Sequence, residues 1–327
     1  MKAVPLEVRG LRTTLFTRRG EMKAVDGLSL TVGAGETVAL VGESGCGKSL
    51  SALSIMRLLP DPPARIVGGQ VILNGRDVVP LPEAAMLDIR GREIGMIFQD
   101  PMSSLNPVAT VEKQIAEVLV THTALGRRQA RARARELLEQ VGMPDAGRRL
   151  DAYPHQLSGG MCQRVVIAMA IACSPAVLIA DEPTTALDVT VQAQVLTLLK
   201  SLQAEAGMAM IFITHDLGVV AETADRVVVM YAGRKVEEAA VDELFETPLH
   251  PYTVGLIGAT PVPGGERAAR LADIPGMVPP LNALPAGCAF APRCKRAMER
   301  CRTEAPALTE PRPGRLVACF AAEQDAA

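Results

Sequence analysis

The fold is decided by the stretch Gly42-Glu43-Ser44-Gly45-Cys46-Gly47-Lys48-Ser49. It matches the pattern G-x-x-x-x-G-K-[ST] and stands between an apolar run at residues 37–41 and a helical pattern at residues 48–59, the context that the pattern requires. Glycines let backbone N–H groups curl around phosphate oxygens at a helix N-terminus, where the helix dipole favours anions. The stretch therefore predicts a phosphate-binding loop in which Lys48 reaches the β- and γ-phosphates and the Ser49 hydroxyl binds Mg²⁺.

A second apolar run ends on two carboxylates, in the order Val177-Leu178-Ile179-Ala180-Asp181-Glu182. Such a run is typical of a buried strand in a parallel sheet, and it places its acids at the carboxyl edge, where ligands bind. We expect Asp181 to hold Mg²⁺ and Glu182 to polarise an attacking water as a general base. The alternative is an acidic pair that caps a helix, which would be preferred if this stretch stood alone.

Short apolar runs alternate with helical patterns along most of the chain, which predicts an α/β fold with helices on the faces of a sheet. The segment from about residue 101 to 165 is mostly helical in pattern and predicts a helical insert. Beyond Pro248, Pro and Gly become frequent, and the run Pro261-Val262-Pro263-Gly264-Gly265 indicates a linker. We therefore predict a main domain at residues 1–258 and a Pro-rich region at residues 259–327 that holds four of the seven cysteines.

The composition limits the class of protein. The 327 residues carry a formal net charge of −2, which disfavours nucleic acid as the main partner, and the basic run at residues 127–135 is predicted to be a solvated helix face. No secretory signal pattern is present, and the most apolar stretch, residues 165–180, is too interrupted to span a bilayer. We expect a cytoplasmic chain that is peripheral to the inner membrane and keeps its cysteines out of disulfides.

The stretch Leu157-Ser158-Gly159-Gly160-Met161-Cys162-Gln163 resembles the signature motif of ABC ATPases, although alone it is also the pattern of a serine-capped helix start. Further matches to the Q-loop, the D-loop and the switch histidine of that family follow in its order: Gln99 in Phe98-Gln99-Asp100-Pro101, Ala186-Leu187-Asp188, and His215 in Thr214-His215-Asp216. The resemblance implies a P-loop ABC ATPase cassette, with a mixed sheet core and a helical subdomain, plus a small irregular cysteine-containing C-terminal region. Residues 1–258 would then be the nucleotide-binding domain of an ATPase.

The resemblance also implies a role for each matching residue. Two cassettes face each other head to tail, so Ser158, Gly159 and Gly160 would serve the nucleotide on the partner's phosphate loop. His215 would contact the γ-phosphate, Gln99 would sense Mg²⁺ and the water, and Asp188 would organise the interface. Adenine stacks on an aromatic residue in such cassettes, and Phe16 is the only one upstream of the loop, although a core or turn phenylalanine is the alternative.

Four stretches are similar to one branch of the family, the ATPases of dipeptide and oligopeptide permeases: residues 23–27, 98–107, 181–192 and 250–253. That branch implies import of di- or oligopeptides through two separate membrane permease subunits, with an extracytoplasmic substrate-binding protein and a related chain as second cassette. Nickel, glutathione or sugars are alternative substrates in the same branch. A non-transport ABC ATPase and a regulatory module that senses iron or redox state are the alternatives outside it.

Four cysteines near the C-terminus, Cys288, Cys294, Cys301 and Cys319, form the pattern C-x5-C-x6-C-x17-C. A metal centre could order this Pro-rich region, and thiolate ligands suit either Zn²⁺ or an iron–sulfur cluster. Similar cysteine sets in peptide-permease ATPases imply a [4Fe–4S] cluster, ranked before zinc and before unligated thiols. One residue departs from the branch: Cys162 replaces the usual Arg or Gln after the signature glycines, and we expect a modest change in rate from it.

Overall fold

A computed structural model describes residues 4–18, 20–185, 187–259 and 274–325. Within these residues, the strands are β1 Leu6–Thr17, β2 Gly20–Val32, β3 Thr37–Val41, β4 Ala64–Leu73, β5 Arg76–Asp77, β6 Ile94–Ile97, β7 Val177–Asp181, β8 Ala209–Ile213, β9 Arg226–Tyr231, β10 Arg234–Ala240, β11 Thr309–Arg312 and β12 Arg315–Val317.

The α-helices of the described residues are α1 Lys48–Met56, α2 Glu83–Ile89, α3 Pro101–Ser104, α4 Val111–His122, α5 Arg127–Gln140, α6 Ala146–Arg149, α7 Gly159–Ile171, α8 Val189–Ala206, α9 Leu217–Thr223, α10 Val241–Glu246, α11 Pro251–Gly258, α12 Glu299–Thr303 and α13 Phe320–Asp325. Two short 3-10 turns lie at Pro154–Gln156 and Ala291–Arg293. Helix α1 ends three residues earlier than its sequence pattern predicts. Arg57 adopts a left-handed backbone, φ 52°, and its N–H bonds back to the carbonyls of Leu53 and Ser54, which closes the helix.

Contacts divide the described residues into two compact units. The phosphate-loop unit holds residues 7–31, 37–72 and 213–325, and the helical unit holds residues 4–6, 32–36 and 73–212. The predicted boundary between residues 258 and 259 stays a prediction, and the predicted linker at residues 261–265 lies outside the described residues.

The phosphate-loop unit is built on a mixed sheet. Strands β3 and β9 are parallel, with Val38 opposite Arg226 and Val41 opposite Val229. Strand β10 is antiparallel to β9 and also to β12, which in turn pairs with β11. A second layer in this unit places β2, β1 and β4 side by side. The two parallel strands are almost wholly buried, as their continuous apolar runs predict.

The C-terminal segment, residues 274–325, is more ordered than its composition predicts. Strand β12 extends the sheet, because Val317 and Leu316 pair with Glu237 and Glu238 of β10. The guanidinium of Arg315 donates to the Glu237 carboxylate at 3.2 Å, and both side chains are buried. Phe290 inserts into the core formed by β3, β9, α9 and α11. Packing on this core supplies the order that the segment's own periodicity lacks.

In the helical unit, α3 to α7 lie within residues 101–171, and the predicted insert at about residues 101–165 stays a prediction. Helices α4, α5 and α7 pack against one another through periodic apolar side chains such as Ile115, Leu119 and Leu137. Strand β6 is parallel to β7, with Ile94 opposite Val177, and β8 is the next strand beyond β7. The carboxyl end of β7 therefore carries Asp181, as the sequence predicts.

Candidate functional site

The phosphate loop of the structure needs glycine at two positions. Gly42 has φ 148° and Gly47 has φ 104°, values that side chains rarely adopt. A Cβ on Gly42 would lie 2.3 Å from the carbonyl oxygen of Met230, and one on Gly47 would lie 2.4 Å from that of Ala24. The loop backbone therefore runs very close to the backbone of Met230 and Ala24 before it enters α1. Only glycine fits at positions 42 and 47.

Lys48 is held over this loop at the first turn of α1. Its Nζ donates to the carbonyl oxygens of Gly42 at 2.7 Å and Glu43 at 3.2 Å, and the residue is only 6% exposed. Ser49 follows at the next position and is half-buried, whereas Ser44 and Gly45 are exposed at the tip of the loop. An ammonium group, a helix N-terminus and a curled backbone together form a site for a phosphate group.

Cys46 lies inside the loop and is fully buried. Its thiol is 3.9 Å from Lys48 Nζ, and burial raises the pKa of the thiol. A neutral, enclosed thiol reacts slowly, so burial protects this cysteine from oxidation although it precedes a helix N-terminus.

In the helical unit, the side chains of Gln99 and Glu182 contact each other. The Gln99 side-chain amide donates to a Glu182 carboxylate oxygen at 2.9 Å, and the Thr185 hydroxyl donates to the same oxygen at 2.9 Å. Glu182 has φ 46°, a strained value for a residue with a side chain, and follows the buried Asp181. Thr185 was missed by the sequence reasoning, although its place three residues after Glu182 could have signalled it.

The signature stretch begins helix α7. Ser158 caps this helix, and its hydroxyl accepts the Met161 N–H at 3.4 Å. Gly159 is exposed and Gly160 is partly exposed, and a Cβ on Gly160 would lie 2.7 Å from a Val191 methyl carbon. The small residues thus leave the N-terminus of α7 accessible.

Cys162, on the same helix, points inward instead. It is fully buried, its thiol lies 3.6 Å from the Pro154 carbonyl oxygen, and burial raises its pKa. Cys162 is therefore a core side chain, and the modest change in rate expected from it stays a prediction.

His215, Asp188 and Phe16 are the other residues predicted for the site. His215 is exposed and lies between β8 and α9, directly before the helix cap Asp216. Asp188 caps α8 by accepting the Val191 N–H at 3.0 Å, whereas Ala186 of the predicted D-loop lies outside the described residues. Phe16, on β1, is 43% exposed and could offer a ring face to a base.

The four C-terminal cysteines line one cavity in the phosphate-loop unit. Burial raises the pKa of Cys288, Cys294 and Cys319. Backbone N–H groups point at two of the sulfurs, that of Arg296 at Cys294 Sγ, 3.3 Å, and that of Met298 at Cys301 Sγ, 3.5 Å. Within the described parts of the chain, no group of three or more His, Cys, Asp or Glu side chains is placed to hold a single metal ion.

Two functional contacts of the C-terminal half were not predicted from sequence. Arg293 forms an ion pair with Glu43 of the phosphate loop, and the Tyr252 hydroxyl accepts the Glu43 N–H at 2.7 Å. Both join positions more than two hundred residues apart, 250 and 209 respectively, so no local pattern could reveal them.

None of the described helices is both long enough and apolar enough to cross a membrane. A family model described as "ABC transporter" matches residues 25–185, and one described as "Oligopeptide/dipeptide transporter, C-terminal region" matches residues 236–301. The second match includes residues 274–301 of the C-terminal segment.

Individual relatives agree with these family models. A putative peptide import ATP-binding protein of Brucella melitensis is 55% identical over 93% of both chains, and the oligopeptide transport ATP-binding protein AppD of Bacillus subtilis is 52% identical over 98% of both. Among solved structures, the ATP-binding cassette MJ0796, a dimer bound to ADP and Pi, is 28% identical with a TM-score of 0.65, and the match covers 72% of this chain and 98% of that one. The chain therefore has the ABC ATPase cassette fold followed by a C-terminal region of the oligopeptide/dipeptide type, and it belongs to the ATP-binding proteins of the oligopeptide/dipeptide family of ABC transporters.

Proposed function

We propose that this chain hydrolyses ATP at its phosphate loop and thereby drives the import of di- and oligopeptides through separate membrane permease subunits. It is the ATP-binding subunit of a peptide import system of the ABC class. The observation that carries the ATPase assignment is the preformed loop, in which Gly42 and Gly47 permit the curl and Lys48 stands over it. Residues 1–258 would act as the nucleotide-binding domain and residues 259–327 as its C-terminal extension.

The nucleotide phosphates would bind backbone N–H groups of the loop Gly42–Ser49 other than that of Glu43, which donates to Tyr252, with Lys48 on the β- and γ-phosphates. Ser49, Asp181 and Gln99 would hold Mg²⁺, whose charge supports the phosphates during transfer. The buried position of Asp181 at the end of β7 and the oxygen and amide groups of the set suit a hard cation. Phe16 would stack on the adenine.

Glu182 is proposed as the general base that polarises the attacking water. Its carboxylate accepts hydrogen bonds from Gln99 and Thr185, each at 2.9 Å, which would fix its orientation. His215 would contact the γ-phosphate and hold the geometry of attack. Attack of this water on the γ-phosphorus would break its bond to the bridging oxygen of ADP, which gives ADP and phosphate.

A second cassette would complete the site. Ser158, Gly159 and Gly160 lie at the accessible N-terminus of α7, where backbone N–H groups can approach an anion closely. These residues would close over ATP bound to the partner cassette, with Asp188 at the interface. A related chain is the proposed partner, together with two permease subunits and an extracytoplasmic binding protein, and the solved cassette MJ0796 is itself dimeric.

Uptake of labelled di- to pentapeptides tests this function in cells that lack the chain. The native sequence and a Glu205→Gln control, altered at an exposed position of α8, should restore uptake, whereas Glu182→Gln should reduce it about a hundredfold or more. Equal uptake with Glu182→Gln would refute its role as base. Uptake that does not depend on the chain at all would redirect the assignment to nickel, glutathione or sugars.

We further propose that Cys288, Cys294, Cys301 and Cys319 hold a [4Fe–4S] cluster. All four thiols line one cavity, and two receive backbone N–H groups, which stabilise ligated sulfur. Zinc would need all four sulfurs within about 4 Å of one another, since each Zn–S bond is about 2.3 Å. The cavity measures about 10 Å³, so the side chains would have to move apart to admit a cluster.

Metal analysis of the chain purified without oxygen tests this second proposal. We expect about four iron and four sulfide ions per native chain and per Cys173→Ser control. The variant with all four C-terminal cysteines changed to Ser should contain neither. Stoichiometric zinc without iron, or no metal at all in the native chain, would refute the cluster.

A further inference from the structure

An ion pair joins the C-terminal segment to the phosphate loop. The two terminal nitrogens of Arg293 donate to the two carboxylate oxygens of Glu43 at 2.6 and 3.0 Å. This is the paired geometry in which a guanidinium binds a carboxylate most strongly. Glu43 is the second residue of the phosphate loop, and Arg293 directly precedes Cys294.

Arg293 is fixed in place before it reaches Glu43. Its Nε donates to the Pro275 carbonyl oxygen at 2.9 Å, and a terminal nitrogen donates to that of Ile274 at 3.3 Å. The guanidinium also lies 5.9 Å from the ring centres of both Tyr231 and Phe290. A buried arginine with these partners has little freedom to move elsewhere.

A second contact holds the same loop residue by its backbone. The Glu43 N–H donates to the Tyr252 hydroxyl at 2.7 Å, and Tyr252 is fully buried on α11. Its ring packs edge-on against Tyr231 with centroids 4.7 Å apart, and Phe290 lies 5.4 Å away. The side chain of Glu43 is therefore held by Arg293 and its backbone N–H by Tyr252. Both of these residues lie against the rings of Tyr231 and Phe290.

The charge on Glu43 explains why such a contact matters for nucleotide binding. A carboxylate inside a loop that receives a triphosphate would repel it. The Glu43 atom that Lys48 bonds is the carbonyl oxygen, at 3.2 Å, rather than the carboxylate. Arg293 supplies the opposite charge directly at the carboxylate and draws it toward the rings of Tyr231 and Phe290. The loop can then present its N–H groups to phosphate without a competing anion.

We propose that Arg293 is a positioning residue for the nucleotide site: it neutralises Glu43 and holds the phosphate loop in its binding form. This inference rests on the proposed ATPase function. Because Arg293 precedes Cys294, nucleotide affinity depends on the fold of the four-cysteine segment. By linkage, bound nucleotide stabilises that segment in return.

Binding of the fluorescent nucleotide mant-ATP with Mg²⁺ to the purified full chain tests the proposal. Arg293→Met should raise Kd about tenfold, because an unpaired carboxylate is left in the loop, and Arg293→Lys should raise it less. Glu43→Gln serves as the reference for the double variant, and Arg293→Met should raise the Kd much less in the Glu43→Gln background than in the native chain. A Kd for Arg293→Met within about twofold of native, or an equal rise of Kd in both backgrounds, overturns the proposal.

Arg315→Met is the matched control. Arg315 is as buried as Arg293 and also ties the C-terminal segment to the sheet, but its partners are Glu237 and Thr247 rather than the loop. It should lower the thermal unfolding midpoint and leave the Kd unchanged. An equal rise of Kd with Arg315→Met would mean that general loosening of the segment, rather than Arg293, sets the affinity.

The effect of nucleotide on hydrogen exchange distinguishes the proposed role of Arg293 from a purely structural one. Mg²⁺ and ATP should slow exchange in residues 288–301 of the native chain and should have no such effect in Arg293→Met at saturating nucleotide. Protection that persists in the variant contradicts the linkage. If the native chain does not bind mant-ATP, the proposed ATPase function fails, whereas native binding with unaltered variants defeats only the role of Arg293.

Discussion

The phosphate loop and the four-cysteine segment lie in one unit but owe their structures to different causes. The loop is eight consecutive residues whose shape follows from its glycines, as at Gly42 and Gly47. The cysteines are spread from Cys288 to Cys319 and meet because Phe290 and β12 dock on the sheet. A local motif thus specifies its own geometry, whereas a dispersed ligand set depends on tertiary packing, and the Arg293–Glu43 pair connects the two.

The largest expected effect lies at the centre of the loop. Lys48→Met should reduce ATP hydrolysis about a hundredfold or more, because a buried cation aimed at the phosphates is lost. Phosphate release by the purified chain is the measurement, and Lys200→Met, at an exposed position of α8, is the control. Hydrolysis by Lys48→Met at the rate of the control would remove the loop from the catalytic assignment.

Two matched glycine changes compare the regions directly. Gly47→Ala adds a Cβ 2.4 Å from the Ala24 carbonyl oxygen at a positive φ, and Gly287→Ala adds one 2.3 Å from that of Cys301. We expect losses in the free energy of unfolding of about 2–4 and about 1–3 kcal/mol respectively, since only the first adds backbone strain to the clash.

Urea unfolding and mant-ATP titration separate these two glycine effects. Gly47→Ala should abolish nucleotide binding, whereas Gly287→Ala should mainly expose residues 288–301 to limited proteolysis. An equal loss of nucleotide affinity in both variants would mean that the shape of the loop, like that of the cysteine segment, depends on tertiary packing.

The pH dependence of stability probes the core on which the cysteine segment docks. Burial lowers the pKa of His250 to about 4, from about 6.5, and its ring lies 5.7 Å from that of Phe290. Below pH 6.5 the unfolded chain gains a proton that the folded chain excludes, so stability falls with pH down to about 4. The full loss of stability over this pH range is about 3 kcal/mol.

His250→Asn is the comparison for this pH effect. Asn retains an acceptor for the Tyr252 N–H, which His250 Nδ1 now accepts at 3.0 Å, but cannot titrate. The difference in unfolding midpoint between the native chain and this variant should therefore shift against the native chain as pH drops from 6.5 to 4. A constant difference across this range would show that His250 is charged in the fold.

The smallest expected effect on nucleotide affinity comes from substituting two buried cysteines, Cys46 and Cys301. Cys46→Ser should change the Kd for mant-ATP by about twofold or less, because the enclosed thiol takes no part in phosphate binding and Ser is nearly the same size. Cys301→Ser should leave that Kd similar but remove iron from the purified chain. Iron content that is equal in both variants would place the metal, if any, outside the cysteine segment.

Most strands and helices were predictable because they follow from local periodicity. The apolar runs at residues 37–41 and 226–231 became buried parallel strands, and the helices of the insert began and ended within a few residues of their patterns. Boundaries deviated where a single backbone conformation decided them, as Arg57 did for α1. Strands β11 and β12 were not predicted because their sequences are short. They form strands by pairing, β12 with the edge strand β10 and β11 with β12.

By itself, the sequence determined the phosphate loop, the acidic strand end and the serine-capped signature helix, because each depends on a few adjacent residues and their backbone preferences. Only the tertiary structure decided that Thr185 joins Gln99 at Glu182, that Cys162 faces the core, and that Arg293 and Tyr252 fasten Glu43. The reason is physical: buried charges and aromatic rings find partners by proximity in space, and chain separation leaves no trace of that proximity in a local pattern.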